Sequence, residues 1–213
     1  MEDANKMRLG TTTVGIVCRD GLILAADMRA TAGNLIVNKT TEKVFKVSEN
    51  MVITMAGTVS DAQLLSRLLK AEIALKEIRN NHEVSVKEGA NLLASMVYSN
   101  IRRMSMIPGI AHFLIGGKDE EGFHLYDVFA DGSLTLEKTY VCSGSGSVFA
   151  YGVLETLYHD DINVNDGVEL VVKAVNSALQ RDTYSGNGIN VYAVTKKGIE
   201  KVHTEDLQTH LKH

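Results

Sequence analysis

The order in which hydrophobic periodicity changes along the chain is the feature that most restricts its fold. Strand-like runs come first, two helical stripes follow, strands return, a second helical pair follows, and strands close the chain. Nothing in this order alternates strand with helix, so a parallel sheet built from crossover helices is excluded. The helices are instead expected to lie on the outer faces of antiparallel sheets. The architecture that buries both sheets and both helix pairs is an α+β fold, a four-layer αββα sandwich.

The individual segments follow from this pattern. Val14, Ile16 and Cys18 alternate on one face, Arg19-Asp20-Gly21 turns the chain, and Leu22 to Ala26 is apolar throughout, the mark of a strand covered on both sides. Leu35 to Val37, Val44 to Val47 and Met51 to Ala56 are expected to extend the same sheet. Ser60 with Gln63 reads as a capping box ahead of Leu64, Leu68, Ala71, Leu75 and Ile78, and Ser85 with Glu88 as another ahead of Ala90, Leu93, Val97 and Ile101. After Pro108-Gly109, strands are predicted over Ala111 to Ile115, Phe123 to Val128 and Leu134 to Cys142. The turn Ser143 to Ser147 opens a helix over Val148 to Tyr158. Asn165-Asp166 caps a stripe of Val168, Val171, Val172, Val175 and Leu179, and strands Ile189 to Thr195 and Ile199 to Val202 finish the chain.

Composition removes several function classes. A length of 213 residues without repeats or a low-complexity linker favours one sizeable domain. The formal net charge of −4 offers no basic footprint for nucleic acid. No stretch reaches the roughly 20 apolar residues of a membrane span, and the polar Met1 to Gly10 has no signal-peptide core. Two cysteines, Cys18 and Cys142, in apolar runs read as buried thiols, so the expected compartment is a reducing cytoplasm. The seven histidines show no ligand spacing, and no metal or cofactor is expected. The glycine-rich turn around Ser145 lacks both the spacing and the lysine of a phosphate-binding loop.

The chemistry is expected where the polar leader meets the first strand, at Gly10-Thr11-Thr12-Thr13. A threonine run there has two readings. Threonine favours strands; alternatively, cleavage after Gly10 makes Thr11 an N-terminal residue whose hydroxyl is the nucleophile and whose own amine is the base. Asp27 closes a buried strand and Lys43 opens another, which by themselves are equally a structural ion pair.

Six segments in order decide between these readings: Gly10-Thr11-Thr12-Thr13; Ala26-Asp27-x-Arg29; Lys43; Met55-Ala56-Gly57 with Asp61-Ala62-Gln63; Gly144-Ser145-Gly146-Ser147 with Ala150-Tyr151-Gly152; and Gln180-Arg181-Asp182-x-x-Ser185-Gly186. Through essentially the whole mature part, the chain resembles the catalytic β subunits of the 20S proteasome, most closely the archaeal type. The resemblance implies the N-terminal nucleophile hydrolase fold and a threonine endopeptidase that degrades unfolded polypeptides inside a closed ring chamber. It also implies a propeptide of residues 1–10 removed by self-cleavage at Gly10-Thr11, leaving one catalytic domain over residues 11–213.

By the same resemblance Thr11 is the nucleophile, Asp27 and Lys43 its electrostatic partners, and Gly57 an oxyanion donor. Ser145, Asp182 and Ser185 surround the Thr11 amine, and Arg29 orients backbone near Asp27. An α-amino group titrates near ~7.7 to 8.0 and lysine near ~10.4, so Lys43 is expected to stay an ammonium. Ala30, Thr41, Phe45, Met55 and Val59 match positions lining the pocket for the residue before the cut, although Met or Phe in a strand is as readily plain core. Backbone at Thr31, Gly57 and Val59 would pair with an extended substrate. The implied partners are α subunits and further β subunits in stacked heptameric rings, with an activating ATPase. Two other readings stand beside this one. A non-catalytic ring subunit need not keep Thr11, Asp27 and Lys43 together, and the shorter bacterial threonine peptidase lacks the Gln180 to Gly186 pattern.

Overall fold

Strands β1 (Thr13–Cys18) and β2 (Gly21–Asp27) form the expected hairpin, with Thr13 opposite Ala26 and Cys18 opposite Gly21. This and all that follows comes from a computed structural model, which describes residues 10–106 and 108–207. The wholly apolar β2 is buried along its length because Ile23 and Ala25 face a helix layer while Leu22, Leu24 and Ala26 face a second sheet.

β3 (Ala30–Ala32) and β4 (Leu35–Asn38) make a small separate hairpin. They are followed by β5 (Val44–Lys46), β6 (Met51–Gly57), the helices α1 (Val59–Asn80) and α2 (Val86–Ile101), and strands β7 (Ala111–Asp119), β8 (Gly122–Val128) and β9 (Leu134–Glu137). The chain ends with β10 (Tyr140–Ser143), α3 (Ser147–Leu157), α4 (Val164–Leu179), β11 (Gly188–Thr195) and β12 (Gly198–Asp206). One antiparallel sheet has the order β10-β1-β2-β11-β12 and the other β5-β6-β7-β8-β9. Helices α1 and α2 cover the second sheet over a core that includes Ile53, Leu69, Leu93 and Phe113. Helices α3 and α4 cover the first over Ile16, Ile23, Leu154 and Val171, and Leu22, Leu114, Leu125 and Val194 fill the space between the sheets. The αββα sandwich expected from the element order is the fold observed.

Several local expectations are corrected. Leu35 to Val37 does not extend the first sheet and lies exposed, and β5 and β6 belong to the second sheet. The reason is register: β2 already has β1 on one side and β11 from the far end of the chain on the other, so no edge is free. Leu134 to Cys142 is two strands, since Lys138-Thr139 carries the chain from the second sheet to the first. No glycine or proline marks that crossing. Helix α1 starts after Thr58 with no side-chain cap, so Ser60 and Gln63 form no capping box. Its inward face is Ala62, Leu65, Ser66, Leu69 and Ile73, whereas Leu64, Leu68, Leu75 and Ile78 are exposed. Both stripes have helical spacing, and periodicity alone cannot choose which one meets a sheet. At α2 the Ser85–Glu88 capping box is present. At α4 the cap is Asn163, whose side chain accepts from the Asp166 amide, and not Asn165.

The choice of face in α1 has a measurable consequence. Leu69→Ala, at a fully buried position, should cost about 2 to 5 kcal/mol of unfolding free energy. Leu68→Ala, at a position 45% exposed, should stay within about 0.5 kcal/mol. Denaturant unfolding of the free subunit reads both.

Candidate active site

The antiparallel registers bring the start of β1, the ends of β2, β6 and β10, and the starts of β5, β7 and β11 to one end of the sandwich. Asp27 terminates β2 there, fully buried, and Lys43 precedes β5 at 4% exposure. Lys43 Nζ donates to Asp27 Oδ1 at 2.7 Å and to Thr11 Oγ1 at 2.9 Å. The amide of Thr12 donates to Asp27 Oδ1 at 3.0 Å, while those of Arg29 and Gly186 reach Asp27 Oδ2 at 3.0 and 2.9 Å. A buried carboxylate with four donors is a satisfied charge, and it aims the lysine at the threonine hydroxyl.

Burial, the larger influence, lowers the Lys43 pKa from its ordinary value, and Asp27 pulls it back upward. The amine therefore holds its proton less tightly than an exposed lysine does, while donating to the hydroxyl it touches.

The second cluster lies on the other side of Thr11. The Thr11 nitrogen donates to Ser145 Oγ at 3.3 Å, and Ser145 donates to Asp182 Oδ2 at 2.6 Å. Ser185 donates to the same oxygen at 2.6 Å, and Thr12 Oγ1 lies 2.7 Å from Ser185 Oγ. With the Ser185 proton committed to Asp182, Thr12 is the donor of that pair. The loop between β10 and α3 approaches closely, since Gly146 N donates to the Thr11 carbonyl at 3.3 Å. Gly144 has φ 89°, and a Cβ there would collide with the Thr11 carbonyl oxygen, so only glycine fits. Arg29 holds the facing loop by donating through Nε to Asn187 Oδ1 at 2.9 Å and through Nη1 to the Thr183 carbonyl at 2.8 Å.

Thr11, Asp27, Lys43, Ser145, Asp182 and Ser185 therefore converge, and Gly57 ends β6 at the same end of the molecule. The six substrate-binding positions are more dispersed. Met55 is buried in the core beneath α1 and α2, and Phe45 packs half-buried against it. Ala30 is buried and Thr31 half-buried on the small hairpin, Thr41 is half-buried, and Val59 is 41% exposed at the first turn of α1. Thr12 and Gly186 were missed as site residues. The signal for Thr12 was its place inside the threonine run; for Gly186, whose contribution is a backbone N–H, side-chain chemistry gave none. Of the leader, only Gly10 falls within the described residues; Met1 to Leu9 lie outside them.

A sandwich of two antiparallel sheets between helix pairs, with a threonine hydroxyl set at the head of a strand, is a fold of the N-terminal nucleophile hydrolase type. Residues 7–194 match the family model described as proteasome subunit. A proteasome subunit beta of Methanothermobacter thermautotrophicus is 44% identical over 209 residues, spanning 98% of this chain and 97% of the relative. That of Methanobrevibacter smithii is 43% identical over 201 residues, 94% and 95% of the two chains. Proteasome subunit beta 2 of Pyrococcus abyssi is 43% identical over 203 residues, 95% of each. The chain belongs to the proteasome subunit family, and it is a peptide-bond hydrolase of the threonine class that assembles with other subunits into a core particle. Among the described residues no helix is long and apolar enough to cross a membrane, and no group of three or more His, Cys, Asp or Glu side chains is placed to hold a metal ion.

Removing one member of the buried pair exposes its worth. Asp27→Ala leaves the Lys43 charge unpaired and should cost about 3 to 5 kcal/mol. Because burial lowers the Lys43 pKa, the unfolded chain binds more protons than the folded one between that lowered value and the ordinary 10.5. This group's contribution to stability therefore rises with pH through that window. Loss of Asp27 lowers the folded value further and widens the window downward. Chemical denaturation across a pH series checks the sign.

Proposed function

We propose that Thr11 is the nucleophile of this peptidase, that it is released by self-cleavage of the Gly10-Thr11 bond, and that residues 11–213 are the mature catalytic domain. The observation that carries the reading is Lys43 Nζ at 2.9 Å from Thr11 Oγ1, itself held at 2.7 Å by Asp27. While Gly10 is attached, the Thr11 nitrogen is an amide without a basic lone pair. The lysine whose proton affinity burial has lowered is then the amine positioned to take the hydroxyl proton. Oγ1 bonds to the Gly10 carbonyl carbon, the C–N bond breaks as its nitrogen gains a proton, and water hydrolyses the resulting ester. The new α-amino group, with a reference pKa near ~7.7 to 8.0, afterwards serves as base beside Ser145, Asp182 and Ser185. Asp27 keeps Lys43 aimed, and Gly57 supplies the backbone donor for the developing oxyanion.

Gly10 suits this scheme sterically, because a Cβ at residue 10 would overlap the Cβ of Tyr184. Thr11→Ala should retain the leader and lose all peptidase activity, read by intact mass and a fluorogenic peptide. Gly10→Ala should slow processing about tenfold or more, with the added Tyr184→Gly recovering part of the loss.

Enclosure fits a nucleophile of loose selectivity. The finer assembly we infer is stacked heptameric rings of this chain between rings of α subunits, fed with unfolded polypeptide by an activating ATPase in the cytoplasm. Substrate is held as an added strand by backbone at Thr31, Gly57 and Val59. Ala30, Thr41, Phe45, Met55 and Val59 are the candidates for the pocket of the residue before the cut, Met55 also packing in the core, and none of the five is acidic. Cleavage should accordingly favour Leu, Phe and Tyr over Arg only modestly, by about tenfold. A panel of peptides differing only at that residue measures it, and preferred cleavage after Arg would remove the pocket assignment.

A further inference from the structure

Beside the cluster at Thr11 lies a second polar chain, and the steps proposed for Thr11 leave it without a role. His112, on β7, sits opposite Ala56, one residue from Gly57 on the neighbouring strand. Its Nε2 lies 2.5 Å from Asp127 Oδ1 on β8, and its Nδ1 lies 2.7 Å from Ser143 Oγ, the last residue of β10. In the tautomer that donates from Nε2 to the Asp127 carboxylate, Nδ1 is bare and accepts from the Ser143 hydroxyl. The Phe129 ring meets the imidazole edge-on at a centroid separation of 4.8 Å.

A serine, a histidine and an aspartate in hydrogen-bonded sequence invite comparison with a hydrolytic triad. Under the reading of Thr11 as nucleophile that role is already filled, and Ser143 is turned, buried, onto His112 of the other sheet. The geometry assigns a different one. β7 and β8 belong to the second sheet and β10 to the first, so His112 is a tie between sheets. Strand β10 is an edge strand of four residues paired with β1, and His112 adds a tie from the other sheet to the one the Tyr151 hydroxyl makes with the Cys142 backbone.

Directly after Ser143 come Gly144, packed on the Thr11 carbonyl, Ser145, which accepts from the Thr11 nitrogen, and Gly146, which donates to the Thr11 carbonyl. Whatever fixes Ser143 thus bears on both hydrogen bonds to the Thr11 backbone, alongside Asp182, which holds Ser145.

We propose that His112 is a positioning residue for peptide hydrolysis, holding the Ser145 loop, and through it Thr11, in register with Lys43 and Gly57. The proposal rests on the reading of Thr11 as nucleophile. It requires of position 112 a side chain that donates to Asp127 and accepts from Ser143 at once. A primary amide meets this requirement, so His112→Gln is the conservative variant and His112→Leu the disabling one.

The test uses particles assembled with the partner subunits, and kcat and KM for one fluorogenic peptide are measured per processed Thr11. His112→Leu should lower kcat about tenfold and leave KM within about twofold, because a misplaced nucleophile loses rate rather than substrate affinity. His112→Gln should return kcat to within about threefold of the parent. Ser143→Ala should reproduce the loss, and the double variant with His112→Leu should be no worse than either single one.

A parental kcat in His112→Leu, a change confined to KM, no rescue by glutamine in a fully assembled particle, or additive losses in the double variant would each overturn the proposal. Should His112→Leu fail to assemble, Ser143→Ala and His112→Gln decide it alone. Activity surviving in Thr11→Ala would instead remove the nucleophile reading, which a parental His112→Leu leaves standing.

Discussion

The Asp27 carboxylate is the interaction on which the rest of the site depends. It is fully buried, and both oxygens are occupied by donors from four separate places in the chain: Thr12, Arg29, Lys43 and Gly186. Such a charge is tolerated only when every donor arrives, because the desolvation of an ion is recovered by hydrogen bonds and an opposite charge or not at all. The residue therefore acts as a check on assembly. β1 must pair with β2, the loop before β11 must close over both, and the segment before β5 must deliver its lysine.

Around it the hydroxyls have a fixed sense. Thr12 donates to Ser185, and Ser185 and Ser145 both donate to Asp182, so the proton-bearing groups near the Thr11 nitrogen converge on one carboxylate. Lys43 approaches the Thr11 oxygen from the opposite cluster. The two ends of one residue are thus served by separate networks. The lysine network is sealed from water, while Ser145 at the edge of the other is exposed. That difference in dielectric is why burial governs the proton affinity of Lys43.

Much of this was legible in the sequence. The layer order followed from the succession of periodicities, and Asp27 and Lys43 stood out as charges bordering apolar strands. What escaped had no local signature. Helix α1 carries two apolar stripes of helical spacing, and only the sheet beneath it selects Leu65 and Leu69 over Leu64 and Leu68. Sheet membership of β5 and β6 depends on β11 having taken the free edge of β2. The crossing at Lys138-Thr139 interrupts an apolar run without a turn residue. Gly186 contributes an amide, and His112 a ring whose partners lie on two other strands. Such roles arise from convergence and leave no pattern in a window of neighbouring residues.

The strand order of the first sheet also sets a timetable. β1 is completed within the first 18 residues, but one of its neighbours is β10, and β2 waits for β11, which begins at Gly188. The contact between Thr12 and Ser185 spans 173 residues. During vectorial synthesis Thr11, Asp27 and Lys43 emerge early and Ser145, Asp182 and Ser185 late, and contacts of such separation close late. A ribosome-bound fragment that lacks the region around Asp182 to Gly186 carries Thr11 without its environment. Completion of the hydrogen-bonded environment around Thr11 is thereby deferred by topology until the chain is nearly finished.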